Sequence, residues 1–113
     1  EDYALSGRSA LKISNARIPR FLNLMWPLMG ESVGTFYYDN APNVLDQFLA
    51  NKPMLTKTAP IKVLPDSVEI VRFPEMIAPG EYPKPLPFGG MGKPVNTAGF
   101  SDHFPILVRV EEK

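Results

Sequence analysis

Thirteen prolines and eight glycines punctuate these 113 residues, and they confine the chain to short secondary-structure elements. Proline fixes φ and removes a backbone donor, and glycine weakens the interior of a helix or strand, so neither permits long regular runs. Their combined share is above average but short of the roughly 25–30% that marks low-complexity chains. The chain therefore folds, with long ordered loops. Hydrophobic residues at 44% and charged residues at 21% agree with this, since disorder needs lower hydrophobicity and higher net charge. The length suits one domain or part of one, and residues 1–113 are read as a single unit.

Twelve Lys plus Arg balance twelve Asp plus Glu, so no global charge draws the chain to nucleic acid or to an anionic membrane. Any charge-based chemistry must be local. The absence of cysteine excludes a disulfide framework, thiolate metal sites and a Cys nucleophile. No apolar run approaches the length of a membrane span. The sequence opens on Glu1 rather than Met, inside an amphipathic stretch, which leads us to expect that its beginning is missing.

The pattern along the chain is mixed α and β. A short helix fits residues 2–13 loosely, because Gly7 weakens it. Residues 20–29 (RFLNLMWPLM) are apolar on nearly all sides and read as a buried helical turn ended by Pro27, with Trp26 in the core. Strands are expected at Gly34 to Tyr38, at Val68 to Phe73 and at Pro105 to Glu111, where β-branched and aromatic residues concentrate. Of the three aromatics Phe36, Tyr37 and Tyr38, one or two must face the core, since neighbours in a strand point to opposite sides. Asp39-Asn40-Ala41-Pro42 reads as a turn. In Asn43 to Ala50, strand alternation places Val44, Asp46, Phe48 and Ala50 on one face, so a carboxylate shares a face with apolar neighbours. The roughly thirty residues from Pro74 to Phe104 form a Pro- and Gly-rich loop of the length that usually serves a site or lies against another part of the protein.

The chemistry gathers around one histidine. His103 sits in Ser101-Asp102-His103-Phe104-Pro105, where the long loop enters the last strand. A carboxylate on an apolar face is costly unless paired, so Asp46 needs a partner, and an imidazole N–H is the obvious one. Asp46 accepting from one ring nitrogen would fix the tautomer of His103 and aim the other nitrogen at a substrate or water. Asp102, beside it, would be an oxygen ligand for a hard divalent ion such as Mg²⁺, provided that a twist at the strand entrance lets both residues reach one cleft. Asn40 and Asn43 read as turn residues, with a substrate hydrogen bond from an Asn near Asp46 as the weaker alternative.

The run Gly99-Phe100-Ser101-Asp102-His103-Phe104-Pro105-Ile106 resembles the terminal motif of the endonuclease/exonuclease/phosphatase superfamily, the DNase I-like metal-dependent phosphoesterases. In that family a Ser-Asp-His triplet precedes the final strand. Pro42-Asn43-Val44-Leu45-Asp46-Gln47-Phe48-Leu49 is similar to its preceding motif. The resemblance covers nearly the whole chain. It implies half of a DNase I-like two-sheet α/β sandwich, an α+β fold of mainly antiparallel strands with one or two short helices. It further implies that His103 is the catalytic histidine, Asp46 the residue orienting it and Asp102 a carboxylate of a Mg²⁺ (or Mn²⁺ or Ca²⁺) site. The histidine either takes a proton from water or stabilises phosphoryl oxygens; both roles stay open.

The family's earlier motifs have no counterpart here: its metal-binding Glu, its first catalytic His and its Gly-Asp-Phe-Asn run all precede the region matching Glu1. The expectation is a C-terminal half of a phosphate-ester hydrolase, inactive alone, with an apolar face built by Val44, Phe48, Val68 and Ile70. Such a face seeks cover from the N-terminal half of the same parent or from self-association. The competing reading is a non-enzymatic β-rich module whose Pro83-Lys84-Pro85-Leu86-Pro87 run binds a partner in polyproline conformation. An Asp46 carboxylate within hydrogen-bond reach of a partly exposed His103 would favour the enzyme. A phosphate loop at Gly89 to Pro94 fails, because Pro87 and Pro94 stand where Gly and Ser or Thr are required. Arg8, Lys12, Arg17 and Arg20, near Glu1 and Asp2, read as a solvated helix face.

Overall fold

The computed structural model describes residues 12, 15, 17 and 20–113, so the helix expected over 2–13 and Arg8 lie, Lys12 apart, outside the described residues. Over residues 20–113, eight short strands and a short helix follow one another: β1 (Phe21–Asn23), β2 (Phe36–Tyr38), β3 (Ala41–Asn43), β4 (Leu49–Asn51), α1 (Lys52–Leu55), β5 (Ile61–Val63), β6 (Glu69–Ile70), β7 (Ile106–Leu107) and β8 (Val110–Glu112). The strands form two-stranded ladders, β1 with β4, β2 with β3, β5 with β8 and β6 with β7. The first three of these are antiparallel. Antiparallel strands with a short helix make an α+β arrangement, as expected. Among the described residues no helix is long and apolar enough to cross a membrane.

The chain divides into two compact units, one of Glu1–Leu28, Gln47–Glu69 and Leu107–Lys113, the other of Met29–Asp46 and Ile70–Ile106. The first is organised by apolar burial. Leu24, Ala50, Leu55 and Val63 form a core against which Leu22, Phe48, Met54, Val68 and Val108 pack. The register of β1 on β4 sets Leu22 opposite Ala50, which is why these two share the inward face. Asn51 caps α1, its side chain accepting from the Met54 N–H at 3.4 Å, and a proline stands in the first turn where no donor is needed.

Three expectations need correction in this unit. Residues 20–29 are not one helical turn: β1 is followed by a 3₁₀ turn at Trp26–Leu28. The Asn23 Oδ1 accepts from the Met25 N–H at 2.9 Å, a local turn that competes with helix, and Leu24 and Met25 are buried there. Trp26 is therefore not core but 54% exposed, at the start of the 3₁₀ turn. The strand expected over Pro105 to Glu111 is split into β7 and β8, because Arg109 turns its N–H to the Ser67 Oγ at 2.8 Å while its carbonyl accepts from the Leu64 N–H at 2.9 Å. Val110 is consequently exposed while Val108 is half-buried.

The second unit is built around a hairpin and the long loop. β2 and β3 are joined by Asp39 and Asn40 at φ 49° and 63°, the left-handed pair that a two-residue hairpin turn demands and that Asp and Asn tolerate. Pro42 lies opposite Tyr37, one step from the turn, where an antiparallel ladder asks for no N–H. Phe36 and Tyr37 are half-buried and Tyr38 is 74% exposed, so none of the three aromatics is fully core. The strand expected over Val68 to Phe73 shrinks to β6. Val71 donates to the Pro105 carbonyl at 2.8 Å, and Pro105 has no N–H to return.

The Pro- and Gly-rich loop is ordered by its own hydrogen bonds. Leu86 donates to the Met76 carbonyl at 2.8 Å and accepts from the Phe100 N–H at 3.0 Å, and Ala78 donates to the Lys84 carbonyl at 2.8 Å. Pro85 is buried. Residues 83–87 are thus part of the loop's own packing, not a free polyproline ligand. Gly99 is required by contact: a Cβ there would lie 1.9 Å from the Pro87 carbonyl oxygen.

Candidate active site

His103 and Asp46 meet inside the second unit. The His103 Nδ1 lies 2.6 Å from the Asp46 Oδ2, and both side chains are 37% exposed. The pairing inferred from sequence is present, yet its setting differs from the expectation. Asp46 belongs to no strand, since β4 starts only at Leu49. Residues 44–48 lie outside the named strands, the Phe48 carbonyl accepting from the Leu24 N–H at 2.9 Å, but they keep the alternation: Val44, Asp46 and Phe48 are half-buried and Ala50 buried, whereas Asn43, Leu45, Gln47 and Leu49 are exposed. Asp46 is too exposed to need rescue from an oily interior, and its bond to His103 is better understood as orienting the ring than as neutralising a buried charge.

Each side chain is fixed by local structure. The Ser101 hydroxyl accepts from the His103 N–H at 3.0 Å, a tight turn that sets the histidine at the end of the loop. His103 forms an isolated antiparallel bridge with Phe36, and the two rings stack with centroids 5.0 Å apart and planes tilted by 36°. Phe104, the next residue, is 1% exposed and meets Tyr37 edge-on at 6.3 Å, so it anchors the backbone beside the histidine. On the other side, the backbone N–H groups of Leu45 and Asp46 both donate to the Thr35 Oγ1, at 3.1 and 3.2 Å. Thr35 is fully buried and was not legible in the sequence as part of any site. A threonine at the head of an aromatic strand carries no signal by itself.

Partial burial pushes the Asp46 carboxyl up, the largest single influence, but its hydrogen bond to His103, the Thr35 hydroxyl, the His103 charge and the backbone outweigh it and hold the group below its ordinary value of 3.8. Asp46 is therefore ionised near neutral pH. An ionised carboxylate only accepts, so Nδ1 carries the proton, and in the neutral ring Nε2 holds the lone pair. In that neutral form Nε2 can only accept a proton or hydrogen bond, and it donates to an anion only once the ring is doubly protonated.

Asp102 is exposed, and among the described residues no group of three or more His, Asp and Glu side chains gathers as a metal cage would require. Asp102 is one oxygen donor of the kind that a magnesium ion takes. Asn40 and Asn43 are engaged elsewhere. The Asn40 Oδ1 accepts from the Lys84 Nζ at 3.2 Å, and the Asn43 amide donates to the Ala41 carbonyl at 3.0 Å.

Comparison with known proteins bears on what this pair belongs to. No curated protein and no solved structure gives a significant match. The family model of the Endonuclease/Exonuclease/phosphatase family does, over residues 4–112, a span that takes in the Asp46 segment, the long loop and the Ser-Asp-His triplet together. The chain belongs to the endonuclease/exonuclease/phosphatase family.

Proposed function

We propose that this chain supplies the orienting carboxylate and the working histidine of a divalent-metal-dependent phosphate-ester hydrolase, within half of a DNase I-like two-sheet sandwich. The carrying observation is the 2.6 Å bond between Asp46 and a His103 ring that is 37% exposed. Asp46 holds the ring and its tautomer; His103 either takes a proton from water or donates to phosphoryl oxygens. Asp102 offers one carboxylate to a Mg²⁺ (or Mn²⁺ or Ca²⁺) whose other ligands come from residues outside this set. When bound, such an ion lowers charge repulsion at the phosphate and acidifies water.

A hydrolytic transition state needs metal ligands, oxyanion donors and an oriented water together, each worth several kcal/mol. Asp46, His103 and Asp102 cannot supply all of these, so the 113-residue chain alone has no appreciable turnover. Large apolar side chains left exposed in both units, among them Phe21 at 66%, Leu49 at 59% and Phe100 at 58%, support cover by the preceding half of the parent or by a second copy. Concentration-dependent association in light scattering is the expected result.

The deciding experiment measures hydrolysis of an activated phosphodiester with Mg²⁺ by a longer protein containing this sequence. His103→Ala should lower turnover by about 10²–10⁴-fold. Equal activity with and without the imidazole would overturn the reading, as would His103-dependent turnover by the isolated chain.

A further inference from the structure

Three hydrogen bonds, two from the Asp46 segment and one from the His103 segment, converge on a residue that no motif singles out. Thr35 is 0% exposed. Its hydroxyl oxygen accepts from the Leu45 and Asp46 N–H groups at 3.1 and 3.2 Å, and its proton is shared between the Asn43 carbonyl at 3.4 Å and the Asp46 carboxylate. Its own N–H donates to the same Asn43 carbonyl at 2.9 Å, and its carbonyl accepts from the Phe104 N–H at 2.8 Å. The backbone of Asp46 and the backbone immediately after His103 thus both end on one side chain and peptide.

From this geometry we infer that Thr35 is a positioning residue: its buried hydroxyl sets the Asp46 backbone so that the carboxylate reaches His103 Nδ1 and fixes the ring's tautomer. The inference rests on Asp46 and His103 being the working pair. A hydroxyl is the group for this place, because it accepts two N–H bonds and donates one. Valine has the same shape and none of that capacity, so it would leave two partly buried amides without their acceptor. Serine keeps the oxygen and loses only a methyl group. Thr35 touches neither substrate nor ring, and its effect reaches the chemistry only through Asp46.

The test compares the 113-residue chain with Thr35→Val and Thr35→Ser, reading ¹⁵N shifts of the His103 ring at one neutral pH and deuterium exchange of the Leu45 and Asp46 amides. In Thr35→Val the two amides should exchange at least about tenfold faster, and the ring should change from the single Nδ1–H form to a tautomer mixture. Thr35→Ser should keep both signatures. A folded Thr35→Val variant with an unchanged tautomer overturns the inference. Should Thr35→Val fail to fold, Thr35→Ser decides: protected amides with a mixed tautomer overturn it, and protected amides with the Nδ1–H form support it. None of these readouts needs turnover, so inactivity of a His103-containing parent would strike the proposed function and leave the positioning result standing.

Discussion

The two units are held together by different physics, and the Asp46–His103 pair sits in the one with less apolar burial. In the first, Leu24, Ala50, Leu55 and Val63 bury their side chains against one another. In the second, the fully buried positions are Gly34, Thr35, Pro85, Gly99 and Phe104, of which Phe104 alone brings a large apolar side chain. Close backbone approach and hydrogen bonds do there what packing does in the first unit. Gly34 touches the Asn43 backbone so closely that a Cβ would come within 2.4 Å of its N atom, and Gly99 lies as tightly on Pro87. A polar framework of this kind specifies direction. Apolar packing is tolerant of small shifts, whereas a hydrogen bond is lost over a fraction of an ångström, so a site that must aim an imidazole gains from the second kind of construction.

This contrast predicts where single atoms matter most. Gly99→Ala should be the harshest change, because the new methyl group meets main chain at 1.9 Å and main chain cannot step aside as a flexible side chain would. A loss of about 3 kcal/mol or more in urea unfolding is expected, with disruption of the His103 environment. Leu24→Ala, at a 3% exposed core position of the first unit, should cost a similar or slightly smaller amount, about 2–4 kcal/mol. It should leave the ring ¹⁵N shifts of His103 in the folded protein unchanged. If Leu24→Ala moved those shifts as much as Gly99→Ala does, the division of labour between the units would be wrong.

The same contrast explains what the sequence disclosed. Asp46 and His103 could be matched from their residue types and surroundings, because one imidazole and one carboxylate on an apolar face leave few ways to pair. The alternation of Val44, Asp46, Phe48 and Ala50 also survives in the burial, although only Ala50 of the four lies in a strand. What stayed hidden depends on side chain to backbone bonds between distant segments. Ser67, 42 residues from Arg109, divides one expected strand into two. The Asn23 side chain replaces an expected helix with a turn and brings Trp26 out to 54% exposure. Thr35 reaches Leu45 and Asp46, ten and eleven residues away, from a position with no pattern to mark it. Hydrophobic periodicity reports burial, and it is silent about a hydroxyl that organises someone else's amides.

The smallest effect expected is also the most specific to the polar unit. Asp46 binds its proton less tightly in the folded chain than its ordinary value of 3.8, because the bonds to His103 and Thr35 outweigh its partial burial. Folding is therefore favoured wherever the carboxylate is ionised. This contribution is complete above the unfolded value, declines as pH falls through 3.8 toward the lower folded value, and is gone below it. Because the pair is 37% exposed, solvent screens it and the gain should stay under about 1 kcal/mol. Urea midpoints compared between about pH 5 and pH 2.5 should fall less steeply in Asp46→Asn than in the parent sequence, the difference being this one group. Replacing His103 by alanine removes two of the influences that lower Asp46 and leaves burial, so the carboxyl should rise and the acid slope should flatten in the same sense. An Asp46→Asn chain with the parent's full acid sensitivity would mean that the 2.6 Å contact carries no preference for the charged form, and the ring would then be held by its contact with Phe36, with Ser101 fixing only the His103 backbone.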